Sequence, residues 1–142
     1  PMVTGLSGNI GIQCSTVLVR NIALGAISSF NRFDAVFKEL MSGFCSGAVF
    51  GVIAGLLVYI FESIFSTGLG HGAFALATVV SAGLIGACFA GTILGVLSPL
   101  FFVRIGVDPA ISSGPIITAF NDFISMTIYF FIAWSLYLLF FI

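Results

Sequence analysis

The sequence predicts an all-α fold, a polytopic transmembrane helical bundle, from two observations about composition and layout. Hydrophobic residues make up 60% of the 142, charged residues only 6%, and mean hydropathy is +1.27. Soluble domains carry about 25% charged residues because their surfaces face water. The apolar residues also fall into four long runs separated by short polar or Gly/Pro-rich stretches. One bilayer crossing takes about 20 apolar residues, so four crossings use nearly the whole chain. Residues 1–142 therefore read as one membrane domain with no separate soluble part. Helices are expected because an open sheet edge cannot stand in hydrocarbon.

The first span, about residues 2–27, is the least apolar, with Thr4, Ser7, Asn9, Gln13, Ser15, Thr16 and Arg20 among its apolar residues. Residues 28–39 include Asn31, Arg32, Asp34 and Lys38 and read as a short loop with an interfacial helical turn. The second span covers about 40–65. The Gly-rich segment 66–72 (STGLGHG) then breaks the apolar run as a turn. A third span, about 73–103, is interrupted near its end by Pro99, and 104–115 (RIGVDPAISSGP) is a connector. The last span is about 116–142.

Charge placement sets orientation. Arg20, Arg32 and Lys38 cluster around the first connector and Arg104 lies on the third, whereas the second has no Lys or Arg. The positive-inside rule puts the first and third connectors in the cytoplasm and both chain ends outside. An external N-terminus needs something to carry it across, so at least one transmembrane helix is expected upstream of Pro1. The expected location is the inner cell membrane, as a multi-pass protein.

Several function classes fit poorly. A net charge of −1 offers no basic patch for nucleic acid. Cys14, Cys45 and Cys88 have neither metal-ligand spacing nor disulfide density and read as packing residues. His71 reads as an exposed loop residue without a nucleophile partner. An intramembrane aspartyl protease would need two carboxylates at one site, and the prolines around Asp108 put it near the surface, away from Asp122. Asp34, Glu39 and Glu62 lie at span ends, where a solvated role is expected. No phosphate-binding Gly-rich loop is present either, and the chain is not expected to be an enzyme.

Two stripes of small residues stand out. Gly43, Gly47, Gly51 and Gly55 recur every four residues in the second span, and Gly83, Ala87, Gly91 and Gly95 do so in the third. Residues four apart share a helix face, so each stripe is a groove that another helix can approach closely. Packing within the chain is the favoured use, and contact with another subunit the alternative. Tyr59, Tyr129, Trp134 and Tyr137 are candidate interface anchors.

Asp122 is the outlier, a carboxylate about one and a half turns into the last span. At a helix centre such a charge costs roughly 2.5–3.5 kcal/mol, so it should face protein or a water-filled cavity. Thr118 and Ser125 share its side of the helix and Asn121 is adjacent. In the first span Asn9, Gln13, Thr16 and Arg20 align on one face. One reading is a structural hydrogen-bond network between the two helices, with Asp122 paired to Arg20. The other is an ion pathway lined by carboxylate, amide and hydroxyl oxygens. Such oxygens suit hard cations, and magnesium usually meets one or two carboxylates while keeping its water. Manganese, cobalt and calcium are the alternative ions.

Two segments carry a family resemblance. PMVTGLSGNIGIQCSTVLVRNIALG (residues 1–25), with its GN-x-G-x-Q core and T-x-x-x-R, resembles the second transmembrane helix of the MgtE family of magnesium channels. RIGVDPAISSGPIITAFNDFISMTIYF (residues 104–130), with DPA, SGP and T-x-x-x-D, resembles that family's fourth loop and fifth helix. The resemblance implies a homodimer with five helices per subunit and an ion pathway along the dimer axis. It implies Asp122 as the central magnesium site with Thr118 beside it, Asn9 and Gln13 facing the pore, and Asp108 near the cytoplasmic mouth. The family's cytoplasmic sensor domains and first helix lie outside these 142 residues. Potential-driven magnesium entry is the expected function. A proton- or sodium-coupled divalent cation transporter is one alternative, and a non-conducting membrane assembly subunit is another.

Overall fold

The computed structural model describes residues 1–25, 32–65 and 70–141; residues 26–31, 66–69 and 142 lie outside the described set, and with them the expected ends of the first span and part of the turn at 66–72. Four helices follow in order: α1 (Met2–Ala23), α2 (Arg32–Phe65), α3 (Gly70–Arg104) and α4 (Pro115–Phe141), with a short 3-10 turn at Pro109–Ser113 before α4. All four are long and apolar enough to cross a membrane. The protein is a membrane-embedded helical bundle.

Two boundaries differ from the sequence reading. The stretch 32–39 is not loop but the first two turns of α2, which runs 34 residues. At 1.5 Å per residue that is about 51 Å, well beyond a hydrocarbon core of about 30 Å. The extra turns can project past the core because the first-turn Asp34 and Lys38 are both exposed, and Lys38 carries its charge on a flexible stem. Likewise, Pro99 does not interrupt the third span: α3 continues to Arg104 with Pro99 fully buried. Membrane helices tolerate proline because neighbouring groups can satisfy the carbonyl it leaves free. His71 belongs to α3 rather than to a loop, though its side chain is outside the described set.

What stops α3 is a left-handed glycine. Gly106 has φ +74°, and its N–H and that of Val107 bond back to Val103 and Phe102 at 3.2 and 2.9 Å. That is the paired closure expected when glycine follows a helix end.

α3 is the central helix, touching each of the other three. Against α2 it packs antiparallel through the first glycine stripe. A Cβ at Gly47 would stand 2.6 Å from Cys88 Cβ and one at Gly55 2.9 Å from Ser81 Cβ; Gly43 abuts Thr92 and Gly51 abuts Ile85. The second stripe turns the other way. Gly95 meets the Gly11 backbone of α1, a Cβ at Gly83 would stand 2.9 Å from the Tyr129 ring of α4, and Ala87 is fully buried. The two stripes hold this one chain together, and close approach lets small dispersion gains accumulate where lipid supplies no hydrophobic drive. Outward faces of α2 and α4 carry bulky apolar groups such as Leu57, Phe61, Phe123 and Phe131.

Candidate ion pathway

At the junction of α1, α3 and α4 the two polar helices meet. Ser7 Oγ and Asn121 pair through both amide atoms, at 3.1 Å to Oδ1 and 3.0 Å from Nδ2, and both residues are buried. Gly91 of α3 makes the room: a Cβ there would lie 2.6 Å from Asn121 Oδ1, from Ser7 O and from Ser7 Oγ. A polar network does join α1 and α4, but Asn121 and Ser7 form it. The sequence reading places Asn121 beside the site and gives Ser7 no role. Ser7 lies across the helix from the Asn9 stripe, so a search by four-residue spacing passes over it.

Asp122 is one residue further round and stands apart from that network. It is half-buried, and its Oδ1 would be 4.0 Å from a Cβ on Gly8. Asp122 makes no ion pair among the described residues. The expected Asp122–Arg20 pair is not formed. Arg20 lies twelve residues beyond Gly8, about 18 Å along α1. Nor does Ser125 share the opening beside Asp122. It is fully buried, its hydroxyl donating to the Asp122 carbonyl at 3.4 Å. Three residues at about 100° each leave it roughly 60° short of Asp122's direction, and that offset turns it into the bundle.

Asn9, Gln13, Thr16 and Arg20 form one strip along α1, and all are exposed. Gly5 extends the strip, with nothing within 4 Å of where its Cβ would be. Thr16 donates its hydroxyl to its own helix at Ile12 O, 2.8 Å. Gly8 borders this strip, so Asp122 sits at its edge. Thr118, one turn before Asp122, is half-buried. This exposed strip of α1, with the Asp122 carboxylate near its α4 edge, is the candidate trough for an ion.

Asp108 is exposed at the start of the 3-10 turn, and its Oδ1 accepts the Ala110 N–H at 2.8 Å. No group of three or more His, Cys, Asp or Glu side chains converges among the described residues. A cation beside Asp122 would meet that carboxylate without a cluster of three such ligands, and would keep most of its water.

Comparison with known proteins points the same way. A family model for MgtE, described as a divalent cation transporter, matches residues 1–132. The chain is 33% identical over 133 residues to the magnesium transporter MgtE of Bacillus subtilis, covering 94% of this chain and 28% of that protein. It is 31% identical over 141 residues to the protein of the same name from Enterococcus faecalis, covering 99% and 29%. For the Thermus thermophilus protein of that name it is 26% over 129 residues, covering 91% and 26%. The chain thus spans little more than a quarter of the length of these relatives.

Proposed function

This chain belongs to the MgtE family of divalent cation transporters, and we propose that it forms one half of a magnesium pathway completed by a second copy of itself. The observation that carries this reading is the outward-facing polar strip of α1 with Asp122 at its edge. In hydrocarbon such a strip would leave amides and a carboxylate without partners. A two-fold axis along the trough supplies a like strip opposite, and water between them.

Magnesium fits that arrangement. It surrenders its hydration shell reluctantly and binds through one or two carboxylates, and the two-fold axis would provide two copies of Asp122. Asp122 is then the central ligand and Thr118 stands beside it. Asn9 and Gln13 line the path and Asp108 stands at its cytoplasmic mouth. Two charges moving down the membrane potential gain about 4.6 kcal/mol per 100 mV, at roughly 2.3 per charge, so no further energy source is required. The protein is read as a potential-driven channel of the inner membrane.

The test is divalent-metal uptake into liposomes holding the protein or Asp122→Ala. Uptake that needs Asp122, follows an imposed potential without a sodium or proton gradient, and is inhibited by manganese, cobalt or calcium supports the channel. Equal uptake by Asp122→Ala refutes the pathway, and strict dependence on a sodium or proton gradient refutes the channel mechanism.

A further inference from the structure

A second carboxylate borders the same trough. The sequence reading puts Glu39 at a span end in a solvated role, yet it lies two turns inside α2 and is half-buried against α1. An open pocket of about 350 Å³ separates the two helices there, and its lining includes Gln13 and Cys14 of α1 with Glu39, Ser42 and Ser46 of α2. Gln13 belongs both to this pocket and to the exposed strip, so the pocket is a side bay of the trough.

The local bonding leaves the oxygen atoms available. The Cys14 thiol donates to the Glu39 backbone carbonyl at 3.7 Å, which holds α2 in register without engaging the carboxylate. Ser46 donates to the Ser42 carbonyl at 2.9 Å, and its oxygen keeps free lone pairs. Glu39 makes no ion pair and no side-chain hydrogen bond among the described residues. A carboxylate, an amide oxygen and two hydroxyls form a hard-oxygen set, suited to magnesium or manganese rather than to soft metals. Space is sufficient too: six waters at roughly 30 Å³ each occupy about 180 Å³, within the 350 Å³ of the bay.

We propose that Glu39, with Gln13 and Ser42, holds a hydrated divalent cation in the bay between α1 and α2, a second station beside the one at Asp122. Gln13 lies five residues beyond Gly8, so the two stations are separated by about 8 Å along α1. The Glu39 station is the nearer to the first connector. Its role in transport rests on the pathway reading above; its ability to bind a cation does not.

Two measurements on the intact protein test it. The first is Mn²⁺ binding in detergent followed by electron paramagnetic resonance, on an Asp122→Ala background. That background is expected to retain bound Mn²⁺, to lose it when Glu39→Gln is added, and to keep it with Glu39→Asp. If Asp122→Ala/Glu39→Gln binds as much Mn²⁺ as Asp122→Ala, or if Asp122→Ala alone binds none while eluting like wild type, the site does not exist. The second is Mg²⁺ uptake by Glu39→Gln in an otherwise wild-type protein. The half-saturating concentration should rise by about fivefold or more, the factor a carboxylate about 4 Å from a charge supplies in a water-like medium. Glu39→Asp should restore most of it, and an unchanged half-saturation overturns the station's part in transport. Uptake that ignores Asp122 would remove the pathway reading alone, because the Mn²⁺ count scores the Glu39 site separately.

Discussion

Replacing Gly91 by alanine would place one methyl group where three helices meet. The added Cβ would lie 2.6 Å from Asn121 Oδ1, Ser7 Oγ and the Ser7 carbonyl. Ordinary contact begins near 3.4 Å, so each atom must retreat by about 0.8 Å (3.4 − 2.6). The Asn121 and Ser7 side chains can swing away only by giving up their mutual pair. The Ser7 carbonyl is helix backbone, and α1 itself must move. Overpacking of this kind costs about 1–3 kcal/mol, and two interhelical hydrogen bonds add about 0.6 kcal/mol each in a membrane bundle. Alanine's greater helix propensity returns about 0.5–1 kcal/mol. The net loss is about 1.2–3.7 kcal/mol, or roughly 8- to 500-fold in the unfolding equilibrium. Gly8→Ala is the matched control, since its Cβ would come no nearer than 3.4 Å to Asn121 Nδ2. It should stay within about 0.5 kcal/mol of wild type or gain slightly. Titration with SDS in mixed micelles, followed by fluorescence of Trp134, the only tryptophan, measures both. Equal stabilities for the two variants would refute the triple-junction packing. Gly91→Ala should also reduce metal uptake, because moving the Ser7 backbone shifts α1 and its polar strip relative to Asp122.

Four further outcomes are expected. Asp122→Ala should elute as wild type yet lose uptake by about tenfold or more, equivalent to at least 1.4 kcal/mol of lost ion stabilisation; the flux assay and size-exclusion profile read the two effects. Ser7→Ala and Asn121→Ala should each lower stability by about 0.6–1.7 kcal/mol, and a double-mutant cycle should show their losses to be non-additive. Gly47→Ala should cost about 1–3 kcal/mol by overpacking and recover part of it when Cys88→Gly removes the Cβ at 2.6 Å; the same SDS titration checks this. Thr16→Cys, on the exposed strip, should be joined to a second copy by a short bismaleimide, whereas Phe131→Cys on the lipid-facing side should not; a gel reads the dimer band.

The bundle was legible in the sequence where a single physical rule acts on side-chain type alone. Four apolar runs mark four spans because hydrocarbon admits little else, and a four-residue glycine repeat marks a groove whatever fills it. The partners of that groove were not legible: nothing in the spacing of Gly43 and Gly47 points to Thr92 and Cys88. Charged residues misled at one end. Arg32, Asp34 and Lys38 resemble a loop in composition, but a helix can run past the hydrocarbon when its charges reach water, and α2 does so from Arg32. That shift of two turns moved Glu39 from a supposed membrane edge to the flank of α1.

The polar residues separate along the same line. Asn121 and Asp122 are neighbours in sequence, yet about 100° of helical rotation gives them opposite tasks. Asn121 and Ser7 are buried and bond each other, so they bind α1 to α4 and present no exposed oxygen to an ion. Asp122, Asn9 and Gln13 face out of the chain and have no such partners among the described residues. A purely structural network would place the carboxylate on the satisfied side, where desolvation is balanced by a bonded partner. Here an amide occupies that side and the charge is left at the open trough. A hydrated cation between two copies of the chain would meet the need that this arrangement leaves unmet.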